Sequence, residues 1–135
     1  MELLKSKLGD HIQTDNWKDE KHVPVIDCSD KVESGKMFDV SVTLGKEIAH
    51  PNTTEHHIQW LALYFLPDGE KNLYTICKFD CNAHGASTKG PDEGPVHTNH
   101  SFTTKMKTTR KGTLFSMAYC NIHGLWQYSR DIELE

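Results

Sequence analysis

From Trp17 onward the apolar positions recur mostly with a period of two. Phe38, Val40, Val42 and Leu44 alternate with Asp39, Ser41 and Thr43, the pattern of a strand with one buried face. Residues 57–66 are longer and more continuously apolar, as in a strand covered on both sides. Further extended runs fall at 23–26, 73–81, 101–109, 112–120 and 126–134, making seven strand candidates. Turn signals such as Pro67-Asp68-Gly69, Gly90-Pro91 and Arg110-Lys111-Gly112 separate them. Short strands at this spacing predict an all-β fold, a seven-stranded antiparallel immunoglobulin-like β-sandwich. The Cys…Trp…Cys core of a true immunoglobulin domain is absent, so that likeness is architectural. Residues 17–135 form the predicted domain, with 1–16 as a short N-terminal arm. Leu3, Leu4 and Leu8 are too few to decide between a short helix and a loose arm at the very start. No crossover helices, GxGxxG or GxxxxGK[ST] motifs occur, which excludes Rossmann and P-loop readings.

Composition narrows the function. The 135 residues carry 15 basic and 19 acidic side chains, a formal charge of −4. Such a chain lacks the basic face that general nucleic-acid binding needs. No apolar run is long enough to span a bilayer as a helix. Cys28, Cys77, Cys81 and Cys120 are even in number. Cys77 and Cys81, however, share one predicted strand, where four steps of about 3.3 Å separate their Cα atoms by roughly 13 Å. A disulfide requires less than about 7 Å. The first eight residues contain no apolar signal region. The expectation is therefore a cytoplasmic protein with reduced thiols.

Nine histidines are the unusual count, and they cluster with other metal-binding residue types. Cys120 and His123, three apart at the end of a strand, can reach one ion; the alternative is a buried cysteine beside a surface histidine. His50 and His56 flank a loop stiffened by Pro51 and can close around a metal. The adjacent His57 points to the opposite face if the chain is extended there. Glu20, Lys21 and His22 stand together just before a strand, where a solvated edge is the plainer reading. Cys81-Asn82-Ala83-His84 echoes Cys120-Asn121-Ile122-His123, and the four cysteine and histidine side chains together would suit a tetrahedral structural zinc. That zinc-stabilised binding module is the rival reading. It leaves His22, His50 and His56 unused. His84 otherwise reads as a hydrogen-bonded structural histidine and Cys81 as an inert strand residue; His11, His97 and His100 read as surface histidines.

Three segments carry a more specific resemblance: 20–26 (EKHVPVI), 45–57 (GKEIAHPNTTEHH) and 119–126 (YCNIHGLW). In this order and spacing the chain resembles the superoxide reductases, and within them the short one-iron type called neelaredoxin. The resemblance implies one mononuclear iron per subunit. His22, His50, His56 and His123 match the family's four equatorial imidazoles, and Cys120 its axial thiolate. Glu20 matches the carboxylate that can take the sixth position of ferric iron, and Lys21 the lysine beside the open site of ferrous iron. His57 matches a neighbour that is not a ligand. The implied reaction is superoxide plus one electron and two protons giving hydrogen peroxide, with an external donor, typically rubredoxin. Short members often assemble as homotetramers. No cysteine precedes Trp17, so the second iron centre of the longer desulfoferrodoxins is not expected. Ala49, where the family often has proline, and Cys77 and Cys81 depart from the pattern without touching the ligand set.

Overall fold

The structure, a computed structural model, describes residues 5–135. It is almost entirely β: β1 (Pro24–Asp27), β2 (Lys31–Val32), β3 (Phe38–Leu44), β4 (Ile58–Pro67), β5 (Tyr74–Asp80), β6 (Ser101–Met106), β7 (Gly112–Cys120) and β8 (Gly124–Leu134). Two sheets face each other, one of three strands in the order β1-β3-β6 and one of five in the order β2-β8-β7-β4-β5. Seven of these strands are the ones that the alternating pattern predicts. The eighth, β2, is two residues long and pairs parallel to β8, so the sandwich is not antiparallel throughout. Two residues are too few to show a period.

Burial follows the alternation. Val40, Val42 and Leu44 of β3 point inward, while Ser41 and Thr43 face out and pair with Thr103 and Ser101 across the β3–β6 ladder at 2.7 and 2.8 Å. Opposite them Leu61, Leu63, Leu114, Ala118 and Ile132 close the core, all at most 1% exposed. β4 is a central strand with β7 on one side and β5 on the other, and its consecutive Leu61, Ala62 and Leu63 are all buried. Among the described residues no helix is long and apolar enough to cross a membrane. All four cysteines are free thiols.

The topology brings three connections to one end. Residues 20–22 lead into Pro24, which pairs with Leu44 at the end of β3. The 45–57 loop runs from that point to the start of β4, and Ile58 there lies opposite Cys120, the last residue of β7. A three-residue turn, 121–123, then returns the chain through Gly124, whose φ of +81° is the left-handed position such hairpin turns require. Buried Ser116 ties the sheets together by donating to the Pro24 carbonyl at 2.5 Å. At the same end the N-terminal segment is fastened: after a 3-10 turn at Leu8–His11, Gln13 bridges to Trp126 of β8. Residues 1–4 of the predicted arm lie outside the described residues.

Candidate metal centre

These three connections, with the end of β7, carry five donor side chains to one point. His123 Nδ1 lies 3.2 Å from both His22 Nε2 and His56 Nε2. The Cys120 Sγ lies 3.8 Å from His123 Nδ1 and 3.7 Å from His50 Nε2. The donor atoms of His22, His56, Cys120 and His123 all fall within 4.8 Å of one another.

The ring arrangement is close to a square. Successive centroids around the circuit His22, His50, His56, His123 and back are 4.8, 4.7, 4.9 and 4.7 Å apart, while the diagonal from His22 to His56 is 6.2 Å. Cys120 is fully buried beneath this square, His22 and His50 are nearly so, and His123 is exposed. The set is thus closed on the protein side and open toward water.

Local structure explains how each group is held. Gly45, at φ +75°, lets the chain turn tightly before His50; a Cβ there would stand 2.8 Å from the His50 backbone nitrogen. His50 Nδ1 donates to the Pro51 carbonyl at 2.6 Å, leaving Nε2 to face inward. Thr53 Oγ1 accepts the His56 N–H at 3.0 Å. Asn121 joins the two halves of the site: its Oδ1 accepts the His57 N–H at 2.9 Å and its Nδ2 donates to the Glu55 carbonyl at 2.8 Å. The His123 N–H points at Cys120 Sγ, 3.3 Å away, and so stabilises a thiolate.

Electrostatics favour metal-ready imidazoles. Burial pushes the His50 imidazolium down to about 3, against the opposing bond to Pro51. His22 is lowered by burial despite the Glu20 carboxylate, and His56 by burial and by the charges of His123, His22 and Lys21. These three rings are therefore neutral near pH 7, with lone pairs to offer. Burial alone would raise the Glu20 carboxyl, but hydrogen bonds from the His22 ring and backbone bring it down. Glu20 Oε1 accepts from His22 Nδ1 at 2.5 Å and from the His22 N–H at 2.8 Å. A carboxylate on the outer nitrogen of a histidine fixes which nitrogen is free to bind metal. Lys21 is half-buried beside the same group, and among the described residues it makes no ion pair within 4 Å.

The Cys81–His84–Cys120–His123 zinc set is not assembled. Both ring nitrogens of His84 are engaged, Nδ1 with Asn52 Oδ1 at 2.9 Å and Nε2 with the Cys81 carbonyl at 2.7 Å. Cys81 is buried and its thiol is pushed up to about 11 by that burial. His57 turns away from the square and stacks on His84, with centroids 3.6 Å apart. His11 and His97 are exposed, as their sequence context suggests. His100 is not: it is buried just before β6, its ring edge-on to His50 at 5.7 Å. The polar neighbours of His100 in sequence hide that inward orientation. Asn121 and Gln13 are further site residues with no signal beyond their place near the cysteine–histidine pair and in the N-terminal arm.

Four imidazoles and one thiolate form a five-donor set, too many for a tetrahedral zinc staple and suited by softness and number to iron. The chain is 52% identical to neelaredoxin of Megalodesulfovibrio gigas over 96% of its own length and 99% of that protein. It is 44% identical to superoxide reductase of Pyrococcus furiosus, covering 93% of this chain and 99% of the relative. Among solved structures, the reduced superoxide reductase (neelaredoxin) of Archaeoglobus fulgidus superposes with a TM-score of 0.85 at 44% identity, over 92% of this chain and 99% of that one. A Thermotoga maritima protein superposes with a TM-score of 0.93 at 48% identity, over 97% and 99%. The profile of the family described as desulfoferrodoxin matches residues 14–129, and the chain belongs to the desulfoferrodoxin family.

Proposed function

We infer that this protein is a superoxide reductase working at one mononuclear iron per subunit, with His22, His50, His56 and His123 as imidazole ligands and Cys120 as the thiolate. The observation that carries the reading is the near-square of four imidazoles over a buried cysteine, in a chain of this family. Iron held there supplies a one-electron couple; the chain's own residues do the rest. Lys21 attracts the anionic substrate toward the open side of a protein whose formal charge is −4. An ammonium ~6 Å from an anion, at an effective dielectric near 20, contributes roughly 3 kcal/mol before screening. The Cys120 thiolate, held by the His123 N–H, adds electron density from the buried side. Water at the exposed His123 side delivers the two protons that convert superoxide and one electron to hydrogen peroxide. Glu20, held on the His22 ring and backbone N–H, would be the carboxylate to cap the open side of an oxidised centre. Rubredoxin is the proposed electron donor, and a homotetramer the proposed assembly.

X-ray absorption at the iron edge tests the ligand set. The iron-loaded protein should show one sulfur and four imidazole scatterers, with a visible sulfur-to-iron band that Cys120→Ser removes. Two sulfurs, or an unchanged band in that variant, would sink the assignment.

A further inference from the structure

One aromatic side chain outside the donor set touches it twice. The Trp126 indole lies parallel to the His22 imidazole, with centroids 4.8 Å apart and planes inclined by 13°. His22 meets His50 and His123 at 75° and 63°, edge to face. The indole is thus the ring that stacks flat on His22, where His50 and His123 meet it at steep angles. Trp126 Nε1 also donates to the His123 carbonyl at 3.2 Å. His22 and His123 are 101 residues apart in sequence, and this one side chain contacts both. Trp126 is itself rigid: it sits in β8 opposite Ala118, is 8% exposed, and bridges to Gln13.

We propose that Trp126 is a positioning residue of the metal centre, its indole face fixing the plane of the His22 ring and its N–H fixing the turn that carries His123. The inference rests on the ligand set proposed above. A flat ring pressed against an imidazole resists rotation about the Cβ–Cγ bond, and that rotation would swing Nε2 out of the square. The two contacts are separable. Gln13 Nε2 donates to the same His123 carbonyl at 2.8 Å, so a side chain that keeps the flat face but lacks the N–H retains most of the effect. An aliphatic side chain of similar bulk loses it.

The test is Co(II) binding by metal-free protein, followed through the thiolate charge-transfer and d–d bands against a competing chelator. Trp126→Leu should bind Co(II) about 10- to 100-fold more weakly, the usual cost of losing a group that orients a ligand, and with altered visible bands. Trp126→Phe should keep the wild-type spectrum and lose only a few-fold in affinity. Wild-type Co(II) affinity and spectrum in Trp126→Leu, whatever its melting temperature, would overturn the proposal. If Trp126→Leu does not fold, zinc-loaded wild type decides by NMR. The stack predicts His22 ring protons shifted upfield of those of His50, His56 and His123; unshifted His22 protons would overturn it. Wild type taking up Co(II) without a thiolate band would instead refute the ligand set itself, and the proposal with it.

Discussion

Gly45 and Gly69 offer a matched pair for measuring how the 45–57 loop holds His50. Their φ values are +75° and +83°, so alanine at either position is forced into the left-handed region. That strain costs about 1–2 kcal/mol. Their surroundings differ. A Cβ on Gly69 meets nothing within 4 Å, whereas one on Gly45 would stand 2.8 Å from the His50 backbone nitrogen and 3.4 Å from its Cβ. The nearest obstacle is main chain, so relief requires His50 itself to move. With an unfolding entropy of roughly 2.1 cal/mol/K per residue over 135 residues, strain alone lowers the melting temperature by about 4–7 °C. Gly69→Ala should show that loss and bind Co(II) like wild type. Gly45→Ala should lose at least as much stability and, in addition, on the order of tenfold in Co(II) affinity. Thermal melts of the metal-free proteins and chelator competition give both numbers. Equal metal affinity in the two variants would refute the claim that Gly45 sets the position of His50.

Lys21→Ala should slow the second-order reaction with superoxide about tenfold and flatten its dependence on ionic strength while leaving iron content unchanged; equal rates by pulse radiolysis would place the steering charge elsewhere. Cys81→Ser should retain full iron and its visible band, since Cys81 stands outside the donor group; metal loss would revive the zinc reading. The metal-free protein should lose stability in acid. His50 is held far below the unfolded value of 6.5, at about 3, so between these limits the unfolded chain binds the extra proton. Stability is then full above pH 6.5 and falls as pH drops toward 3, by up to about 1.4 kcal/mol per pH unit from this residue. Urea midpoints that stay flat from pH 6.5 to 4 would contradict this.

Much of this was legible because it is local. Period-two alternation locates seven strands, and the spacing of His50 with His56 and of Cys120 with His123 marks two halves of the donor set before any fold is known. What the sequence hides is long-range or too short. β2 has two residues and owes its existence to the neighbouring end of β8. His100 looks like a surface residue among Thr98, Asn99 and Ser101, yet the chain entering β6 turns it inward against His50. The Trp126–His22 stack joins positions 104 residues apart, and no pattern along the chain encodes it. The repeated Cys-Asn-x-His motif misleads for a related reason: spacing shows reach, not direction, and His84 spends both nitrogens on Asn52 and Cys81.

The most direct measurement of the central claim is electron stoichiometry. Iron-loaded protein with reduced rubredoxin under anaerobic conditions would receive a known flux of superoxide while donor oxidation and peroxide are counted together. A reductase oxidises one donor and releases one hydrogen peroxide for each superoxide consumed. Superoxide loss with the donor left reduced, and half a peroxide per superoxide, would show a dismutase, and no loss above background would show that the four imidazoles and Cys120 build a site without this chemistry.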